Sequence, residues 1–295
     1  MSAKEIIIKT ITSQDANRII KSCHYSGKVV NNSQLHFGVF LNGKCGGAMQ
    51  FGPSLDKRKI LGLVEGTEWN NFIELNRMAF ADWLPRNSES RAISVAFRII
   101  KRNYPHIDWV VSFSDATQCG DGTIYRASGF VLTGIKENNQ IWEAPSGETF
   151  ARMSLTDGQS KGEQDRARQV ASRTTLTKGK NICHSMQMRA AGSPGRTGDV
   201  SKITGGGASM KGFVAAGWKP LKGFQLRYIY FLNPKARERL TVPVISFSEI
   251  ERRGASMYKG KPISRGESIG NDAPGFQSGQ DGVTPISPLH FKGEQ

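Results

Sequence analysis

The residues best suited to chemistry lie in VSFSDATQCGDGTIYRASGF, residues 111–130. Asp115 follows the apolar run Trp109, Val110, Val111, Ser112, Phe113, and Tyr125 follows a Cys119-Gly120-Asp121-Gly122 turn. This order reads as strand, loop, short helix, strand. It puts Asp115 at the carboxyl end of a strand, where open α/β sheets place their ligands, and the glycines permit positive φ and close backbone approach. A carboxylate there can accept a proton, and the tyrosine can stack on a planar ligand. His24 and Tyr25, in His24-Tyr25-Ser26-Gly27, fall at the exit of an expected helix, and Arg77 falls near the end of FIELNRMAF, residues 72–80. Ser88 and Ser90 sit in a helix start whose amide-rich N-terminus could hold an anion beside Arg77. His24, Tyr25, Asp115 and Tyr125 together carry nitrogen and oxygen donors of the kind iron takes, although no spacing among them compels a metal.

These residues need a scaffold, and the hydrophobic pattern supplies one. Residues 5–9 read as a strand, and Thr12-Ser13 can cap a helix over 14–21 with Ala16, Ile19 and Ile20 inward. Residues 35–41 and 48–51 form a hairpin around Asn42-Gly43, and 72–80 make a further strand. Ile93, Ala96, Phe97 and Ile100 recur at helical spacing behind the Asn87 to Ser90 start, with Lys101-Arg102 in the last turn. After residue 130 come a strand pair, 131–135 and 140–143, around an Asn-Asn turn, and later the aromatic strand 224–232. The tyrosines of that strand could stack on bases, although aromatic strands more often fill a core. Residues 240–250 read as an extended segment packing back.

The stretch 157–207 is polar, basic and rich in Gly, Ser and Thr, and cannot bury enough apolar area to offset its ordering entropy. One short helix near 164–173 is compatible with it. The expected organisation is therefore a core over 1–156, a basic insertion or mobile arm over 157–210, a return to the core over 211–259, and a disordered tail over 260–295.

Composition narrows the function classes. No run of about 18 apolar residues occurs, so no transmembrane helix is expected, and the start MSAKEIIIKT lacks a signal-peptide cleavage site. A soluble intracellular protein follows. Four scattered cysteines (Cys23, Cys45, Cys119, Cys183) with no CxxC spacing argue against a zinc ribbon and a disulfide scaffold. The formal charge is +15, and residues 159–239 hold 16 Lys+Arg against 4 Asp+Glu, a net of +12. Such an excess favours a nucleic-acid partner.

The element order resembles the GNAT acyltransferase fold, an α+β arrangement around a mixed sheet, and Tyr125 to Phe130 resembles the Tyr-x-x-x-Gly-Phe ending of its last helix. The GNAT phosphate-binding signature, Gln/Arg-x-x-Gly-x-Gly/Ala, is absent; Arg86-Asn87-Ser88-Glu89-Ser90 stands in its place. A narrower resemblance rests on HYSGK at His24, ELNRMAFAD at Glu74, Asn87 to Ser90, SFSD through YRASGF, and LRYIYFLNP. Together these are similar to the Mom family of phage DNA-modification proteins, over 22–154 and 212–259 and leaving out 157–207. The resemblance implies addition of a carbamoylmethyl (acetamido) group to the exocyclic amine of adenine in double-stranded DNA. That modification protects phage DNA from restriction in the cytoplasm of the infected bacterial host. It marks Tyr25, Arg77, Ser90, Asp115 and Tyr125 as catalytic, with His24 added, and Arg77, Ser88 and Ser90 as holding the donor. The small-molecule donor stays open between an acetyl-CoA-like compound and others, as does iron. Two other classes remain: an acyl-CoA-dependent N-acyltransferase acting on a protein or small-molecule amine, and a basic DNA-binding protein without catalysis.

Overall fold

A computed structural model gives the architecture and describes residues 2–24, 26–119, 121–152, 155, 213–214, 217–258 and 261–262. The expected arm over 157–210, its short helix, and all but two residues of the tail after 259 lie outside the described residues.

The chain folds around a seven-stranded mixed sheet. Its strands are β1 (Ile7–Thr10), β2 (Leu35–Leu41), β3 (Lys44–Gly52), β4 (Phe72–Phe80), β5 (Trp109–Asp115), β6 (Val131–Asn138) and β10 (Gly223–Phe231), with β10 inserted between β5 and β6. All pairs are antiparallel except β4 with β5. This is the GNAT-like α+β fold that the element order predicts. Helix α1 (Ser13–Cys23) starts at Thr12, whose hydroxyl accepts from the Asp15 backbone N–H at 3.1 Å. It buries Ala16 and Ile20 against Ala48 and Ala79. Helix α3 (Ser88–Asn103) lies on the opposite face, with Ala92, Ile93, Ala96, Phe97 and Ile100 in the main core beside Phe51, Val110 and Leu226. Fully burying one such large side chain contributes about 1.5–3 kcal/mol, so this stripe holds the helix to the sheet.

A second apolar cluster on the α1 face joins Ile60 and Val64 to Phe72, Trp109, Val111 and Ile229. Ile60 belongs to α2 (Lys57–Leu61), which the sequence pattern did not predict because five residues are too few to show a period. Phe72 and Trp109 stack there, with centroids 4.5 Å apart and planes at 9°. The segment after β10 packs back as expected, through bridges Val64 to Leu240 and Leu132 to Ile245, but it turns helical over Ser248–Arg252, where an extended run was expected, burying Ile250 in the main core.

One expectation is corrected. Strand β6 does not pair with β7 (Ile141–Glu143) around the Asn-Asn turn. It pairs with β10, while β7 joins β8 (Thr149–Ala151) and β9 (Lys219–Pro220) in a separate three-stranded sheet. The longer β10 offers β6 more backbone partners than three-residue β7 can. Beside that small sheet, Trp218 packs on Phe150 and Phe213 at centroid distances of 5.2 and 4.9 Å.

Candidate active site

Residues of a strand alternate between faces, so Phe72 and Glu74 share the α1 face while Ile73 and Leu75 join the α3-side core. A regular strand would send Arg77 to the core side with them. The pairing of β3 with β4 slips by one residue instead: Phe51 faces Leu75 and Gln50 faces Arg77, which leaves Asn76 as a bulge. Side chains hold the bulge. Ser33 Oγ donates to Asn76 Oδ1 at 3.0 Å, and Pro53 O accepts from Asn32 Nδ2 at 2.8 Å and Asn76 Nδ2 at 3.4 Å. Beyond it, Arg77 lies on the same face as Glu74 and Gln50.

The Arg77 guanidinium is fixed from two sides, Nε donating to Lys28 O at 3.3 Å and Nη1 to Asn76 O at 2.9 Å. Lys28 belongs to the HYSGK segment, so motifs about 50 residues apart meet here. His24 ends α1, its backbone N–H bonding Ile20 O at 2.9 Å. Its pKa falls to about 4, because burial removes water from the charged ring and the Arg77 charge repels it. The Ser26 backbone N–H donates to His24 Nδ1 at 3.1 Å, so the neutral ring carries its proton on Nε2. Glu74 is pushed up by burial, against opposing hydrogen bonds from Ser54 and Asn76 and the Arg77 charge.

Asp115 closes β5 on this same face, since alternation from Trp109 and Val111 brings Phe113 and Asp115 there. Its Oδ1 accepts the Thr117 N–H at 3.0 Å. Burial nevertheless lifts its pKa above the ordinary aspartate range. Thr117 is in turn packed against Gly223, where a β-carbon would collide with the threonine hydroxyl. The β4–β5 pairing stops at Glu74 and Val111, although β4 runs on to Phe80 and β5 to Asp115. The strands therefore part before Arg77 and Asp115, which leaves an opening between their ends.

The other candidates lie on the opposite side of the sheet. Ser88 and Ser90 begin α3 behind Asn87, which is left-handed at φ 68° and makes no side-chain cap. Their hydroxyls turn back onto backbone, Ser88 Oγ to Pro85 O at 2.6 Å and Ser90 Oγ to Asn87 O at 3.2 Å. Tyr125, on α5 (Thr123–Ala127), stacks on Tyr228 at 4.9 Å and 17° and meets the edge of Phe130 at 5.3 Å. Tyr228 faces the α3-side core, so Tyr125 belongs to that side and not to the face of Arg77 and Asp115. Tyr25 lies outside the described residues. Among the described residues no group of three or more His, Cys, Asp or Glu side chains could hold a metal.

Of the residues marked in the sequence, His24, Arg77 and Asp115 thus share one face, and Ser88, Ser90 and Tyr125 lie on the other. It missed Gln50, Glu74 and Thr117. Glu74 carried a signal, three residues before Arg77 in the same motif. Gln50 carried none, being one polar residue in an apolar strand.

Comparison with known proteins bears on the family. Solved structures with some likeness include the ribosomal-protein-S18-alanine N-acetyltransferase from Escherichia coli, 15% identical, covering 49% of this chain and 88% of that one at a TM-score of 0.34. Another is a GNAT-family acetyltransferase from Brucella melitensis in complex with acetyl-CoA, 17% identical over 42% and 82% of the two chains, with a TM-score of 0.31. A curated relative, "Methylcarbamoylase mom" of Escherichia phage Mu, is 43% identical over 137 residues. That alignment covers 46% of this chain and 56% of the phage Mu protein, little more than half its length. The model of the Mom protein family matches residues 5–189, running into the 157–207 stretch that the motif resemblance left out and stopping short of 212–259. With most of its length matched by that family model, the chain belongs to the Mom protein family.

Proposed function

We propose that this protein is a phage DNA-modification enzyme that transfers a carbamoylmethyl group from a small-molecule donor to the exocyclic amine of adenine in double-stranded DNA. The observation that carries the reading is that His24, Arg77 and Asp115 share one sheet face, where β4 and β5 part. Family membership and the name of the phage Mu relative support the substrate class.

The adenine amine is a weak nucleophile because its lone pair is delocalised into the ring, and in a duplex it is paired and stacked. Extruding the base exposes it at a cost of a few kcal/mol. Asp115, half-buried and with Oδ1 engaged by Thr117, would accept the proton lost as nitrogen attacks through its remaining oxygen. The bond formed joins that nitrogen to the methylene carbon of the transferred group, and the bond from that carbon to the donor breaks. His24, neutral with its proton on Nε2, would donate a hydrogen bond to the transferred amide or to a ring nitrogen, and Arg77 would balance negative charge that develops on the donor side. The α3 N-terminus, across the opening, would face the donor. The donor must carry the carbamoylmethyl group on a leaving atom, whereas attack on an acetyl-CoA thioester would break its carbonyl–sulfur bond and leave an acetyl group.

The test is nucleoside mass spectrometry of DNA from bacteria expressing the chain. A new adenosine derivative heavier by the carbamoylmethyl increment, lost on Asp115→Asn, is the expected result. Unmodified DNA, with acetyl transfer from acetyl-CoA to a protein or small amine, would replace this reading by an N-acyltransferase.

A further inference from the structure

Arg227, in the middle of β10, has no place in the reaction above, yet its surroundings are built around it. The guanidinium is fixed from β6: Nε donates to Thr133 Oγ1 at 3.1 Å and Nη2 to Thr133 O at 2.7 Å. Its cross-strand partner is Gly134, and a β-carbon there would press on Nη2 at 3.3 Å and on Cζ at 3.4 Å. The glycine therefore leaves the surface on which the guanidinium lies. A slip in the β10–β6 register directly after Arg227 brings Thr133 alongside.

No carboxylate pairs with Arg227 among the described residues, although the group is half-buried and burial lowers its pKa. The held guanidinium keeps further N–H donors in a planar fork that matches phosphate oxygens. Its position says which phosphate. Gln225 pairs with Asp115 on one side and Lys136 on the other, while Arg227 pairs with Phe113 and Gly134. Asp115, Gln225 and Lys136 thus form one row on the α1 face, with Phe113, Arg227 and Gly134 in the next. Diagonal neighbours of this kind lie about 7–8 Å apart. Gln225 and Lys136 are exposed. The cations lie past Asp115 on the β10–β6 side, away from the β4–β5 opening and the α3 N-terminus.

We propose that Arg227, assisted by Lys136, is a phosphate-binding site that grips the DNA backbone next to the adenosine presented to Asp115. The inference rests on the DNA reading of the preceding subsection. A phosphate of the donor offers the same chemistry, so the experiment separates the two sources.

Binding of a short labelled duplex is followed across a salt series for wild type, Arg227→Gln, Arg227→Lys and Gly134→Ala, with the affinity for coenzyme A, as a phosphate-bearing donor probe, measured in parallel. Removing one phosphate contact should reduce the slope of log K against log salt by about 0.9. Arg227→Gln should show that loss and bind about tenfold more weakly whatever the base sequence, with the coenzyme A affinity unchanged. Arg227→Lys should keep most of the slope. Gly134→Ala, which crowds the guanidinium and leaves its charge, should weaken binding by a smaller factor and gives a second readout if Arg227→Gln does not fold. An unchanged slope and affinity in Arg227→Gln and Gly134→Ala overturns the inference alone. A weakened coenzyme A affinity with an unchanged slope assigns the phosphate to the donor and overturns the DNA assignment. A wild-type chain that binds no duplex overturns this inference and the substrate reading together.

Discussion

Gln50 and Arg77 face each other across β3 and β4 only because Asn76 is bulged out of the register. The bulge turns a guanidinium that regular alternation would bury beneath α3 toward His24 on the α1 face. Two main-chain carbonyls, of Lys28 and Asn76, then hold it. Arg77→Lys keeps the charge and loses this fork, since an ammonium cannot reproduce planar donors in two directions. Modification should fall about 10–100-fold, an effect of misplacement. A melting temperature within a few degrees of wild type would show that the loss is not unfolding.

Asp115→Asn tests the proton acceptor. The amide can still accept the Thr117 N–H but cannot take a proton, so modification should fall about 10²–10⁴-fold. A carboxylate in the proposed role works only when ionised. Because burial raises its pKa, the acid limb of the pH–rate profile should lie above the usual aspartate value of about 3.9. A profile flat down to that value would remove Asp115 from the role.

His24 gives stability a pH dependence of known sign. Its folded pKa, about 4, lies below the unfolded 6.5, so the fold favours the neutral ring. The contribution is fully present above pH 6.5 and is lost as pH falls toward 4, up to about 3 kcal/mol in all. Thermal melts across this window should show a steeper decline for wild type than for His24→Gln. Parallel curves would mean the imidazole is not held neutral.

Gly223→Ala should act on Asp115 from a distance. The new methyl would collide with the Thr117 hydroxyl, forcing Thr117 to move, and the Thr117 N–H is the hydrogen-bond partner of Asp115 Oδ1. Activity should drop about tenfold or more while the destabilisation stays at about 1–3 kcal/mol, typical of overpacking. Normal kcat in a folded variant would show that Thr117 does not position the carboxylate.

Tyr125 should prove structural. Its ring stacks on Tyr228, whose hydroxyl donates to Asp121 O at 2.6 Å. Tyr125→Ala should lower stability by about 2–3 kcal/mol, and a double-mutant cycle with Tyr228→Phe should report coupling of about 0.5–1.5 kcal/mol. A folded Tyr125→Phe with no activity would return the residue to the catalytic group.

Local pattern alone determined much of this protein. The helical spacing of Ile93, Ala96, Phe97 and Ile100, the Asn42-Gly43 turn and the apolar run before Asp115 are short-range signals, and each produced the element it predicts. Residue chemistry and motif likewise marked His24, Arg77 and Asp115. Tertiary structure decided which candidates share a face. Nothing near Arg227 in sequence tells that β10 inserts between β5 and β6, because strand neighbours are chosen by pairing across long separations in the chain. Nothing in FIELNRMAF tells that Asn76 is skipped, because a bulge depends on partners in other segments, here Ser33 and Pro53. One skipped residue reverses the face of every side chain after it, and that reversal puts Arg77 beside His24 and on the face of Asp115.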